Sequence, residues 1–177
     1  MTDTARIEAA PDSPTYWITD DQIAVVTLDD GKANAMSTAV VHGLDATLDR
    51  AKSDAARALV ITGRPGKFSA GFNLDEMTAS LESMRALVGL GARWMLRLYG
   101  YGMPTVAAGT GHALAGGALT LLACDVRVGA DVPAKIGLNE VAIGMPVPHF
   151  AIELARDRLS RRHLTASTLL ATIHDPQ

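Results

Sequence analysis

Cysteine, histidine clusters and basic blocks are all scarce in this 177-residue chain. Cys124 is the single cysteine, so no disulfide can form within the chain and a cysteine-based metal site is excluded. The five histidines show no metal-ligand spacing. A net charge of −3, with 16 basic and 19 acidic residues and no basic block, argues against a nucleic-acid partner. We therefore expect no metal site and a reducing compartment, the cytoplasm.

Long apolar runs are also missing. Glycine, proline or charged residues interrupt the longest apolar stretches, so we expect no transmembrane helix and no membrane partner. The N-terminus lacks the basic and then apolar pattern of a signal peptide. Residues 1–14 are polar and contain two prolines, which predicts a loose tail. Residues 15–177 then form one core, whose length allows it to fold without a disulfide or metal.

Segments with strand spacing and helix spacing alternate along this core, which predicts the α/β class. The predicted strands are 16–19, 23–28, 58–62, 105–108 and 126–128. The predicted helices are 37–52, 78–100, a short one beginning near 116, 150–159 and 165–173. Residues 63–77 are predicted to be a glycine-bearing loop. In such folds, ligands bind in loops at the carboxyl ends of the strands.

Two glycine-rich loops, residues 63–72 and 109–117, follow predicted strands and could face one ligand. The glycine spacing of the first loop does not fit a phosphate-binding loop, and that of the second does not fit a dinucleotide-binding loop. Gly116-Gly117 stands where an uncharged helix begins. Free N–H groups at such a helix start suit an oxyanion in a dry site, and tight helix packing is the alternative explanation.

Acidic residues offer a second set of candidates. Glu140 lies among apolar neighbours, so we expect burial to raise the pKa of its carboxyl towards the range useful for proton transfer. Asp75 and Glu76 are either catalytic carboxylates or acids that complement the start of a helix, and the second interpretation is favoured. No nucleophile elbow is present, and no credible Ser/His/Asp triad was found.

Four motifs, in this order, give the chain a family resemblance: residues 68–74, 111–117, 124–127 and 136–140. Together they resemble the enoyl-CoA hydratase/isomerase family, also called the crotonase family, over residues 16–165. The resemblance implies a spiral of repeated ββα units, assembled as a homotrimer or a dimer of trimers. It also leads us to expect that this chain lacks the C-terminal helices that the family usually carries.

The resemblance further implies a site for acyl-CoA thioesters, in which coenzyme A is part of the substrate and no separate cofactor is needed. The oxyanion hole would consist of the N–H groups of Phe72 and Gly116. Carbonyl groups near Ser69 and Ala70 would hold the adenine of coenzyme A. The implied substrate-binding residues are Ser69, Ala70, Gly71, Gly117 and Leu119.

The number of glutamates separates the reactions of the family. Its hydratases use two, and this chain has Leu119 at the first position and Glu140 at the second. Family isomerases resemble the chain at both positions, so we expect a Δ3,Δ2-enoyl-CoA isomerase with Glu140 as its only base. The alternatives are a hydratase-type lyase, in which Asp75, Glu76 or His149 replaces the missing acid, and an inactive acyl-CoA-binding protein.

Overall fold

The computed structural model describes residues 13–176, and most of the predicted tail therefore lies outside the described residues. The strands are β1 (Thr15–Ile18), β2 (Ile23–Leu28), β3 (Ala35–Met36), β4 (Ala58–Gly63), β5 (Gly66–Ser69), β6 (Gly71–Phe72), β7 (Thr105–Gly109), β8 (Gly111–Leu114), β9 (Val126–Gly129) and β10 (Ile136–Gly137). The helices are α1 (Thr38–Ser53), α2 (Leu74–Ala79), α3 (Leu81–Tyr99), α4 (Gly116–Ala123), α5 (His149–Arg158) and α6 (Arg161–Thr168). A 3₁₀ turn covers Val141–Ile143.

The elements repeat as strands followed by helices. One sheet takes the first strand of each repeat together with β2 of the first repeat. Its order is β1-β2-β4-β7-β9, with β1 antiparallel to β2 and the other pairs parallel. The second strands form two smaller parallel sheets, β10-β8-β5 and β3-β6. Because β4 and β7 are parallel neighbours, the two glycine-rich loops leave the same edge of the sheet side by side.

Helix α4 lies at the centre of the core. Seven of its eight residues are buried, which explains why its sequence is apolar all round. Helix α1 is amphipathic instead, and Ser37 begins it by accepting a hydrogen bond from the Val40 N–H at 3.2 Å, as a side-chain cap does. Cys124 is fully buried, as predicted, and burial raises the pKa of its thiol to about 12.

Three secondary-structure predictions were wrong. Residues 63–77 are not one loop, because β5, β6 and the start of α2 lie there and the two strands pair with β8 and β3, which are distant in sequence. The predicted helix 78–100 is divided at Ser80, whose extended backbone and hydroxyl cap the start of α3. The last helix covers Arg161–Thr168 instead of 165–173.

The segment after α6 returns to the body of the molecule. His174 and Ile136 exchange two backbone hydrogen bonds, of 2.8 and 2.9 Å, so this end of the described chain forms a bridge with β10. Leu169 and Leu170, which were predicted to be helical, lie beyond the end of α6, and both are exposed. No helix within residues 13–176 is long and apolar enough to cross a membrane.

Candidate active site

Phe72 presents its peptide N–H at the junction of β6 and α2. On one side of it, the Gly71 N–H donates to the Ser69 hydroxyl at 3.1 Å. On the other side, the Asn73 N–H donates to the Met36 carbonyl of β3 at 3.0 Å. Successive N–H groups of an extended strand point to opposite sides. The Phe72 N–H therefore points away from β3.

Gly116 is the first residue of α4, where N–H groups have no acceptor within the helix. The preceding residue, Ala115, has a φ of 48° and provides no side-chain cap. Its N–H donates to the Gly137 carbonyl of β10 at 2.9 Å, which ties the turn to the third strand of the small sheet. The helix dipole adds about half a positive charge at this end of α4. The Gly116 N–H is thus suited to a developing negative charge.

The turns that carry these two N–H groups are in direct contact. A Cβ atom added to Gly71 would lie 2.9 Å from the Gly116 nitrogen, and one added to Gly116 would lie 3.4 Å from the Phe72 nitrogen. The Cε of Met36 packs on the remaining side of Gly116, 2.5 Å from the same added Cβ. No side chain can separate the two turns, so their peptide groups can meet a single ligand atom.

The remaining residues of the predicted substrate set divide into buried and exposed members. Ser69 is 1% exposed, and its hydroxyl donates to the Asn34 carbonyl at 2.7 Å. The carbonyl oxygen of Ser69 lies 2.3 Å from where a Cβ on Gly117 would be, so a glycine is required there. Ala70 is exposed. Of the two carbonyls predicted to hold the adenine, those of Ser69 and Ala70, only that of Ala70 therefore belongs to an exposed residue.

Glu140 is 8% exposed, and burial raises the pKa of its carboxyl above the ordinary 4.5, as the sequence predicted. Its Oε2 atom is buried and has no hydrogen-bond partner within residues 13–176. The backbone is fixed, because the Glu140 carbonyl accepts hydrogen bonds from Ile143 at 3.1 Å and Met145 at 2.9 Å. An unpartnered, poorly hydrated carboxylate of this kind is a proton acceptor.

Backbone pairing also ties the segment ahead of Glu140 to the turn ahead of Gly116. Gly137 pairs in register with Leu114 and holds the N–H of Ala115. Glu140 follows Gly137 by three residues, a chain length that spans about 10 Å at most. Leu119 lies one turn along α4 from Gly116 and is 1% exposed. Within this pair of positions, only Glu140 can transfer a proton.

The other acidic and basic candidates have structural partners or lie in solvent. Asp75 and Glu76 lie in the first turn of α2, as the favoured interpretation predicted. The Glu76 carboxylate also accepts hydrogen bonds from the backbone N–H and the hydroxyl of Thr38, at 3.1 and 2.6 Å. His112, a histidine of the second glycine-rich loop, accepts a hydrogen bond at Nδ1 from the Lys135 N–H at 2.9 Å. Within residues 13–176, no three side chains of His, Cys, Asp or Glu form a group that could hold a metal ion.

Asn34 is a residue of this region that the sequence reasoning missed. It is 2% exposed, has a φ of 54°, and donates through Nδ2 to the carbonyls of Leu28, Lys67 and Phe68. It thereby ties β2 to β5, immediately ahead of the loop that carries Phe72. An asparagine within a short polar turn is the only sequence signal for it, because asparagine tolerates positive φ values.

Comparisons of the sequence identify relatives of two kinds, some named as enoyl-CoA hydratases and some as enoyl-CoA isomerases. A family model described as enoyl-CoA hydratase/isomerase matches residues 19–176. A probable enoyl-CoA hydratase of Bacillus subtilis is 35% identical over 153 residues, which cover 85% of this chain and 57% of that protein. The mitochondrial enoyl-CoA delta isomerase 1 of Mus musculus is 32% identical over 158 residues, which cover 87% of this chain and 55% of that protein. The chain thus spans little more than half the length of these relatives.

Solved structures give the same result for the fold. An enoyl-CoA isomerase from Mycobacterium tuberculosis superposes with a TM-score of 0.89 and 39% identity, over 95% of this chain and 73% of that one. An enoyl-CoA hydratase/isomerase family protein from Pseudomonas syringae superposes with a TM-score of 0.88 and 42% identity, over 91% of this chain and 69% of that one. The predicted α/β crotonase-like fold is confirmed, and the chain belongs to the enoyl-CoA hydratase/isomerase family.

Proposed function

We propose that this chain carries the site of an enoyl-CoA isomerase of fatty acid metabolism. The N–H groups of Phe72 and Gly116 donate to the thioester oxygen of a 3-enoyl-CoA. Glu140 removes a proton from C2, and the electron pair of the broken C–H bond passes into an enolate whose charge rests on that oxygen. Glu140 then returns the proton to C4 as the thioester carbonyl re-forms. The double bond has moved from C3–C4 to C2–C3, and no atom has been added.

The observation that carries this proposal is the contrast between Leu119 and Glu140. Hydration needs groups that orient water and exchange protons with it, whereas moving a double bond needs one base. Leu119 is a buried aliphatic residue at the position of the first acid, and Glu140 is a buried carboxylate with an unpartnered oxygen. A single base together with two N–H donors is sufficient for isomerisation.

The coenzyme A part of the substrate is assigned to the loop that leads to Phe72. Ala70 is exposed, and its carbonyl accepts a hydrogen bond from the adenine. The buried Ser69 holds the loop in place through the hydrogen bond that its hydroxyl donates to the Asn34 carbonyl. Gly71 and Gly117 let this loop pack closely against the start of α4, because added Cβ atoms would lie 2.9 Å from the Gly116 nitrogen and 2.3 Å from the Ser69 carbonyl oxygen. Coenzyme A arrives with the substrate, so no further cofactor is required.

A hydratase-type lyase is the second candidate, because relatives with that name match the chain equally well. It would need a replacement for the acid missing at Leu119. Of the three residues considered for this role, Glu76 is bound to Thr38 and His149 has a side chain that is 90% exposed. Asp75 is exposed as well. These surroundings favour the isomerase.

The full-length protein is proposed to work as a homotrimer or a dimer of trimers in the cytoplasm.

A substrate comparison tests the reaction. We expect a 3-enoyl-CoA to be converted to its conjugated 2-enoyl isomer, with a gain of conjugated thioester absorbance, while a 2-enoyl-CoA stays intact. If the 2-enoyl-CoA lost that absorbance faster than the 3-enoyl-CoA gained it, the hydratase would be established instead. Tight binding of both without turnover would establish an acyl-CoA-binding protein.

A further inference from the structure

Gly91 lies in the interior of α3, where a glycine needs a reason. Glycine in a helix interior costs about 1 kcal/mol relative to alanine. Gly91 is buried, and a Cβ added to it would lie 2.3 Å from both Cε1 and Cζ of the Phe72 ring. The ring edge therefore occupies the space that any other side chain at position 91 would fill. Helix α3 has a notch at Gly91, and the ring of Phe72 sits in it.

A second glycine of the same helix provides the contrast. Gly89 is two residues away, and the nearest atom to an added Cβ is the Arg93 Nη1 at 3.5 Å, an ordinary contact. The two glycines share a helix and its backbone conformation, and only one of them faces the ring. The close contact is therefore a property of the Gly91 position and not of α3 in general.

The ring is attached to a backbone that has little freedom. Strand β6 pairs with β3 in register at Phe72 and Met36, and the N–H groups on both sides of Phe72 are hydrogen bonded. The nitrogen of Phe72 itself lies beside Gly116, 3.4 Å from where a Cβ on Gly116 would be. Because both neighbouring residues are held in place, a ring displaced from the notch is accommodated by rotation of the Phe72 side chain or of the Phe72 peptide group itself.

We infer that Gly91 is a positioning residue for the oxyanion donor at Phe72. The notch in α3 fixes the ring, and the ring fixes the direction of the peptide N–H towards the ligand oxygen. This inference rests on the proposed function in one respect, namely that the N–H acts on a thioester oxygen. The seating of the ring by Gly91 is independent of any substrate.

The first experiment tests the seating without substrate. The chain has three phenylalanines, so ¹⁵N-phenylalanine labelling gives three amide signals, and Phe72→Ala identifies the one of interest. We expect Gly91→Ala to move the Phe72 signal and Gly89→Ala to leave it in place. An unmoved Phe72 signal in Gly91→Ala overturns the inference. Adding butanoyl-CoA to the parent chain should also move this signal, and failure of that step alone counts against the proposed function.

The second experiment tests the catalytic consequence. We expect Gly91→Ala to lower kcat for 3-enoyl-CoA by about 10- to 100-fold, because a small misplacement of an oxyanion donor is costly. In a Phe72→Ala background, which keeps the N–H and removes the ring, the same substitution should change kcat less than threefold. Equal losses in both backgrounds, or a raised KM with unchanged kcat, would contradict the positioning role.

Discussion

Each of the two proposed N–H donors follows a residue with a positive φ, and the two preceding residues are of different types. Phe72 follows Gly71, with a φ of 91°, and Gly116 follows Ala115, with a φ of 48°. Glycine adopts a positive φ freely, whereas alanine is strained by roughly 1–3 kcal/mol at the φ of 48° and ψ of −119° of Ala115. One turn is therefore relaxed and the other holds strain next to the site.

The space between the turns explains this difference. A Cβ added to Gly71 would lie 2.9 Å from the Cβ of Ala115 and 2.8 Å from the Leu114 carbonyl. Two methyl groups cannot occupy this gap, and the existing one belongs to Ala115. The turns are consequently coupled, since the residue that one of them tolerates depends on the residue in the other.

Gly71→Ala should have the largest effect on this pair of turns. It adds a positive-φ penalty and a collision, so we expect the free energy of unfolding to fall by about 3 kcal/mol or more. Gly66→Ala is the matched control, because Gly66 has a φ of 77° with nothing within 4 Å of an added Cβ. Urea unfolding measures both variants. If Gly71→Ala costs no more than Gly66→Ala, the two turns are not in contact.

Ala115→Gly should have the smallest effect and the opposite sign. Relief of strain outweighs the added chain entropy of glycine, so we expect a gain of up to about 1 kcal/mol in unfolding free energy. The same change at Ala118, within α4, should instead cost about 1 kcal/mol. Differential scanning calorimetry separates the two. A loss at position 115 equal to that at 118 would mean that Ala115 carries no strain.

Features governed by local sequence were predictable. Short apolar runs predicted the strands of the large sheet, and the apolar neighbours of Glu140 predicted its partial burial. The two acids after Asn73 were correctly assigned to a helix start. Each of these depends on residues within a few positions of one another, where periodicity and desolvation act directly.

Features that depend on contacts between distant residues were not predictable. Strands β5 and β6 are short and gain their hydrogen bonds from partners far along the chain. The contact between Gly91 and the Phe72 ring joins α3 to β6, and its only local trace is a glycine inside a helical pattern. The role of Phe72 came from the family resemblance, those of Gly116 and Glu140 from their local sequence and the resemblance together, and all three stay predictions until they are tested.

Turnover by Glu140→Gln is the most direct test of the central claim, that one buried carboxylate performs the proton transfer alone. The substitution keeps the size of the side chain and removes the base. We expect kcat for 3-enoyl-CoA to fall by about 10²- to 10⁴-fold while acyl-CoA binding is retained. Glu153→Gln, an exposed carboxylate on α5, should leave the parent rate unchanged. A Glu140→Gln rate within threefold of the parent would contradict the account.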